Sequence, residues 1–222
     1  MSRYALAIDT TGEPGSIALV GDLGVLDEVT LDSPDGFAHV LFGEIDRLLA
    51  RHALDVNQID VFASASGPGS FTGVRVGLTA VKGLAEATGA KVVGVSNLEA
   101  LAAFGSRPLR AVVLDARRGE VYGALYNDRL QLIQEEVVEK LPVWLTSLPK
   151  GNLEFVVRGF RLEGVSGPIL DVPLALAGSI GRIAFDRLLR GEVLDPQEID
   201  ANYVRRSDAE LLWKDTTPAR AR

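Results

Sequence analysis

Apolar positions along the chain switch between a period of two and a period of three to four, and the switches divide it into elements. Residues 4–10 (YALAIDT) and 16–20 (SIALV) read as strands joined by the Gly/Pro turn Thr11-Gly12-Glu13-Pro14-Gly15. Residues 24–31 (GVLDEVTL) continue as a third strand, and Ser33-Pro34-Asp35-Gly36 ends the pattern and starts a helix. Phe37, Val40, Leu41, Ile45, Leu48 and Leu49 then fall on one helical face, which predicts a helix over 35–51. A short apolar strand at 60–65 meets the loop Gly67-Pro68-Gly69. Beyond it Phe71, Val74, Leu78, Val81 and Ala85 predict a second helix over 71–88, ending near Gly89. A strand at 91–96 and a helix at 97–104 follow.

Three antiparallel strands, helix, strand, helix, strand is the order of an RNase-H-like core. A second pass begins at Arg107-Pro108. LRAVVLDAR and EVYGALYN pair as a hairpin across Arg118-Gly119, and QLIQEEVVEKL extends it as a third strand. Residues 155–160 read as a strand and 173–191 as a helix. The second half is a shortened echo of the first. Two such lobes make an α/β chain of the actin-like ATPase (ASKHA) architecture, divided at 1–104 and 105–222, with the last helical segment expected to pack back on the first lobe.

Composition narrows the chemistry. The 222 residues suffice for a sizeable core. The absence of cysteine excludes disulfides and thiolate metal sites and fits a reducing compartment. The N-terminus has no h-region, so no signal peptide is expected, and no apolar run approaches the roughly 18 residues of a membrane span. The net charge of −7 disfavours a free-standing nucleic-acid binder. Any role on RNA then calls for a partner that supplies the positive surface. The C-terminal stretch YVRRSDAELLWKDTTPARAR is only mildly basic and reads first as a solvated tail. Arg205, Arg206, Arg220 and Arg222 are its candidates for touching a nucleic acid.

Several clusters carry possible chemistry. Asp9, Thr10 and Thr11, with Ser16, stand at the end of a buried strand. Such a group can hold a Mg²⁺-bound water and a phosphate, or satisfy a tight turn. The Gly-Pro-Gly loop is neither GxGxxG nor a P-loop, and Lys82 lies too far along the helix to serve as a P-loop lysine. Ser70 or Thr72 can cap that helix. Gly73, Gly77 and Ala80 form a small-residue stripe, and helical glycine costs about 0.5–1 kcal/mol relative to alanine. The stripe therefore implies close approach by a neighbour, either the chain's own first helix or another subunit. His39 and His52 are thirteen residues apart, too isolated for a metal or a catalytic base. Asp115, Arg117, Arg118 and Glu120 surround a hairpin turn, where a structural ion-pair knot is commoner than an anion site.

Taken together, AIDTT…SIALV, SGPGSFTGVRVGLTAVKGLA, VVGVSNLEALA, LDARRGEVY and NYVRR resemble the TsaB (YeaZ) family, densely over residues 4–126. Those proteins are subunits of the bacterial machinery that makes N6-threonylcarbamoyladenosine in tRNA. The resemblance implies a non-catalytic scaffold without cofactor or metal that binds and activates TsaD, the catalytic relative of the same fold. Where TsaD carries a metal-binding HxxxH, this chain has Asn97 and Leu101, and leucine cannot ligate a metal. The implied TsaD interface lies on the two N-terminal helices, through Phe37, Val40, Leu41, Gly73, Val74, Gly77, Ala80 and Val81. The same surface would form a homodimer when TsaD is absent. Asp9, Thr10 and Thr11 would be a vestigial nucleotide site. The ATPase TsaE is expected on the heterodimer, tRNA only within the complex, and the whole in the cytoplasm. The competing readings are an ATP-dependent small-molecule kinase, a peptidase of the same fold, and a direct tRNA-binding module.

Overall fold

Two five-stranded sheets of identical topology carry the structure, a computed structural model that describes residues 2–204. The first contains β1 (Tyr4–Asp9), β2 (Gly15–Gly21), β3 (Gly24–Leu31), β4 (Val61–Gly67) and β5 (Lys91–Ser96), in the order β3-β2-β1-β4-β5. β1 to β3 are antiparallel, and β4 and β5 add in parallel. The second contains β6 (Leu109–Arg117), β7 (Glu120–Asn127), β8 (Leu132–Lys140), β9 (Leu153–Val157) and β10 (Ile169–Asp171), in the order β10-β9-β6-β7-β8. Read from its hairpin edge, this is the same order and the same mixture of directions. The actin-like arrangement expected from the element order is the one observed.

Five helices fill the layers: α1 (Leu41–Arg51), α2 (Phe71–Thr88), α3 (Asn97–Ala102), α4 (Leu141–Ser147) and α5 (Ala177–Arg190). The alternation along each strand decides where they go. In β1, Leu6 and Ile8 face outward, into a core they share with Leu41, Ile45 and Leu48 of α1 and Leu78 and Val81 of α2. Ala5 and Ala7 face inward, with Ala18 and Ala63, against α3 and α5. Alanines on that face let α5 come close. A Cβ at Gly181 would stand 2.6 Å from Val20 Cγ2 and 3.2 Å from Ala7 Cβ. α5 thus follows the second sheet in sequence yet lies on the first, and α3 packs on β6 and β7 of the second. Glu99 of α3 and Arg187 of α5 tie the two helices together at 2.7 Å. Burial pushes the Glu99 carboxyl above its ordinary range, against the pull of Arg187.

Some elements differ from the expectation. The first helix does not run unbroken over 35–51. Residues 37–39 form a 3₁₀ turn that buries Phe37, and α-helix begins at Leu41. The last helix begins at Ala177 rather than residue 173, because its free N–H groups are capped from the first sheet. Ser16 Oγ accepts from Leu176 N and Ala177 N at 3.2 and 3.0 Å, and Glu28 accepts from Gly178 N at 2.7 Å. The strand expected at 155–160 spans Leu153–Val157. Helix α4 and strand β10 carry too few residues to show a period. The fully buried residue of α4 is Trp144, whose ring takes the space of the missing side chain at Gly123; a Cβ there would be 2.4 Å from Trp144 Cε2.

Helix α2 lies so close to β1 that Gly73 has no room for a side chain: a Cβ would sit 1.8 Å from the Thr10 carbonyl oxygen. Gly83, two and a half turns on, faces open space. Gly73→Ala should therefore destabilise the chain by about 3 kcal/mol or more. Gly83→Ala should stabilise it by about 0.5–1 kcal/mol. Chemical denaturation of the two variants checks this pair of opposite signs.

Candidate functional site: the cleft between the sheets

The C-terminal ends of β1 and β4 and the β6–β7 hairpin open onto one cleft of about 1140 Å³. Its walls include Thr11, Gly69, Asp115, Arg117 and Tyr203. The fold brings the three sequence clusters together here: the Asp9 turn, the Gly-Pro-Gly loop and the charged hairpin.

Asp9 is fully buried at the end of β1. Its Oδ1 accepts from Thr11 N at 2.9 Å and Thr11 Oγ1 at 2.6 Å, closing the turn. Its Oδ2 faces Arg158 Nη1 at 3.3 Å. Arg158 directly follows β9, and its side chain is 8% exposed. At 3.3 Å the contact is longer than an ideal charge-assisted bond. Its effect is to neutralise charge in a dry place and to join the two sheets. A cation bound to Asp9 would need that carboxylate free, and here it is shared between Thr11 and Arg158. The residues present do not fit a resident metal–nucleotide group.

Thr10 is committed as well, its hydroxyl donating to the Gly73 carbonyl at 2.7 Å. Asn97, at the start of α3, is 1% exposed. Its Nδ2 donates to Thr11 Oγ1 at 2.5 Å, and its Oδ1 accepts from Gly67 N at 3.2 Å. Leu101 is fully buried in the core between the sheets. The floor of the cleft is thus a closed polar chain, Arg158–Asp9–Thr11–Asn97–Gly67, in which each side chain has a partner. Among the described residues no group of three or more His, Cys, Asp or Glu is placed to hold a metal ion.

The Gly-Pro-Gly loop packs against the turn between β1 and β2. A Cβ at Gly69 would meet Thr11 Cβ at 2.7 Å, and Ser70 N donates to the Thr11 carbonyl at 2.8 Å. Ser70 caps α2, accepting from Gly73 N at 3.2 Å. In the hairpin, Asp115 accepts from Arg117 N at 2.7 Å, a side-chain-closed turn in which Arg117, Arg118 and Gly119 run at positive φ. His52 approaches Asp27 at 3.2 Å on the surface.

The interface expected on the two N-terminal helices needs correction. Phe37, Leu41, Gly73, Val74, Gly77, Ala80 and Val81 are buried inside the chain, and Val40 is half-buried. The close neighbour of the glycine stripe is the chain's own first sheet, neither its first helix nor another subunit. Gly73 meets Thr10, and a Cβ at Gly77 would be 2.6 Å from Ser64 Oγ. What α2 offers to solvent is a different stripe: Thr72, Thr79, Gly83 and Ala87 exposed, with Val76 half-buried. Arg205, Arg206, Arg220 and Arg222 lie outside the described residues.

Sequence reasoning missed two residues. Arg158 falls inside the strand expected at 155–160, whereas the strand ends at Val157; its signal is a cation immediately after a buried strand that ends level with the cleft. Glu136 on β8 is the other. It accepts from Ser96 Oγ, from Tyr126 OH at 2.7 Å and from Asn202 Nδ2 at 2.6 Å. Burial, with the Glu136 carboxylate beside it, pushes the Tyr126 hydroxyl well above its ordinary range, so it remains a donor.

Comparison with known proteins accords with this geometry. The family model of TsaD, tRNA N6-adenosine threonylcarbamoyltransferase, matches residues 35–152. The chain is 38% identical to the tRNA threonylcarbamoyladenosine biosynthesis protein TsaB of Haemophilus influenzae, over 94% of this chain and 95% of that protein. It is 30% identical to the TsaB of Bacillus subtilis, over 94% and 96%. Among solved structures, YeaZ from Pseudomonas aeruginosa superposes with a TM-score of 0.77, covering 90% of this chain and 99% of that one at 24% identity, a likeness of fold.

Removing Arg158 strands a buried carboxylate. Arg158→Ala should cost about 3 kcal/mol, within the range for breaking a buried pair, and adding Asp9→Asn should recover part of that loss. An Arg158→Ala variant as stable as the wild type in urea denaturation would contradict the pairing.

Proposed function

The chain belongs to the TsaB (YeaZ) family of tRNA threonylcarbamoyladenosine biosynthesis proteins, and on that premise we propose that it serves there as a non-catalytic subunit that binds a TsaD-family transferase. One observation carries this reading: the cleft floor is filled by the chain's own side chains. Asp9 is held by Arg158, Asn97 is spent on Thr11 and Gly67, and Leu101 is core. A kinase needs Asp9 free for a cation, and a metallopeptidase needs ligands where Asn97 and Leu101 stand. Neither alternative gains support from the site.

A subunit without its own chemistry acts through its surface. The stripe Thr72, Val76, Thr79, Gly83 and Ala87 spans four turns of α2 with no charged side chain, flanked by Arg75 and Glu86. Among the described residues nothing requires a glycine at Gly83, since a Cβ there meets nothing within 4 Å. On α1, Phe42 is 52% exposed beside the exposed Gly43. Short uncharged side chains on one helix with an aromatic on the other suit close packing against helices of a partner. We assign TsaD binding, and homodimerisation in its absence, to this outward surface in place of the buried stripe. TsaE docking on the heterodimer, tRNA contact only within that complex and a cytoplasmic setting belong to the same proposal. No helix among the described residues is long and apolar enough to cross a membrane.

Gly83→Trp places a large ring on the outward face without touching the core. It should abolish formation of a one-to-one complex with the TsaD of the same organism, measured by isothermal titration calorimetry, while its melting temperature stays within a few degrees of the wild type. Undiminished affinity would refute the placement of the interface.

A further inference from the structure

The chain leaves α5 through Gly191 and returns along the edge of the first sheet. Leu194 and Val92 exchange two backbone hydrogen bonds of 3.0 Å, and Lys91 pairs with Asp195 at 2.5 Å. Ile199 is 2% exposed, seated where Gly94 leaves space; a Cβ at Gly94 would be 3.3 Å from Ile199 Cγ1. To this point the strap is anchored by sheet pairing and by the core.

Beyond Ile199 the character of the contacts changes. Ala201 N donates to the neighbouring Asp200 carboxylate at 2.7 Å, a purely local bond. Asn202 then crosses the Gly-Pro-Gly loop. Its N–H donates to the Ser66 carbonyl at 2.8 Å, and its own carbonyl lies 3.1 Å from where a Gly67 Cβ would be. Tyr203 leans on Phe71 with ring centroids 5.6 Å apart, its hydroxyl accepting from Arg75 Nε at 3.4 Å, while Phe71 and Tyr203 are 43% and 48% exposed. Asn202, Tyr203 and Val204 all line the cleft. Asn202 Nδ2 donates to the Glu136 carboxylate at 2.6 Å, a charge-assisted contact. That carboxylate belongs to the second sheet and is itself fixed by Ser96 and Tyr126.

We propose that residues 200–204 form a hinged cover over the Gly-Pro-Gly loop and the cleft mouth, latched by the Asn202–Glu136 hydrogen bond and pivoting at Asp200–Ala201. The latch joins a segment held to the first sheet with a carboxylate on the second. Its release uncovers the Ser66 carbonyl, Gly67 and the inner side of Phe71, and widens access to the cleft. The proposal rests on contacts within this chain and stands whether or not α2 binds TsaD.

Amide hydrogen exchange on the full-length chain tests it. Asn202→Ala removes the latch from the strap side and leaves Glu136 with its other donors. The amide at position 202, which donates to the Ser66 carbonyl, should exchange on the order of tenfold to a hundredfold faster, as expected for loss of a hydrogen bond to a charged group. The amides of Val92, Leu194 and the β7–β8 ladder should keep their rates. Glu136→Ala should reproduce the local change. Unaltered exchange at position 202 in both variants overturns the latch. Acceleration spread over β7, β8 and α3 in Asn202→Ala overturns the hinge, because the strap would then open only with the fold.

Discussion

A single buried carboxylate organises the centre of this molecule. Asp9 ends the middle strand of the first sheet, and two things converge on it: the turn that Thr11 closes, which Asn97 at the start of α3 supports by donating to Thr11 Oγ1, and the Arg158 that follows β9 of the second sheet. A charge this deep is tolerated only when it is paired and hydrogen-bonded. Satisfying it sets the distance between the sheets at the cleft floor. The surroundings are built to the same tolerance. Thr10, next in sequence, holds α2 by its carbonyl packing against Gly73 and its hydroxyl bonding to the Gly73 carbonyl. The carbonyl of Thr11 holds the loop that starts α2.

The helices reinforce what the carboxylate begins. α5 belongs in sequence to the second lobe and lies on the first sheet, capped there by Ser16 and Glu28. α3 follows the first sheet and packs on the second. Each lobe therefore completes its inner face with a helix that touches the other, and Glu99 with Arg187 couples the two. Relative motion of the sheets would have to break both exchanges. The freer contacts lie at the rim, where Tyr203 meets Phe71.

Periodicity made the first lobe legible because its elements are long and its faces clean. The same reading worked for β6, β7 and β8, and the repeated order was enough to expect two RNase-H-like halves. It failed where an element spans no more than about two periods, as in β10 and α4, or where a boundary is set from outside, as at α5. The glycine stripe shows a subtler limit. Glycine in a helix announces close approach, and that inference holds; the identity of the neighbour does not follow from spacing. The stripe faces Thr10 and Ser64, while Gly83, one place off the stripe, is the glycine that points outward. Arg158 was hidden for a related reason. Its meaning depends on Asp9, 149 positions away in the chain, and no local pattern records such a pair.

The chain has an actin-like architecture, and the floor of its central cleft is filled by its own side chains. The most direct test is thermal denaturation of the wild-type protein with and without millimolar ATP and Mg²⁺. With Asp9 held by Arg158, the melting temperature should not move. A Mg²⁺-dependent rise, lost in Asp9→Asn, would show that the carboxylate accepts a cation despite its partner, and would contradict the claim that Asp9 is committed to Arg158.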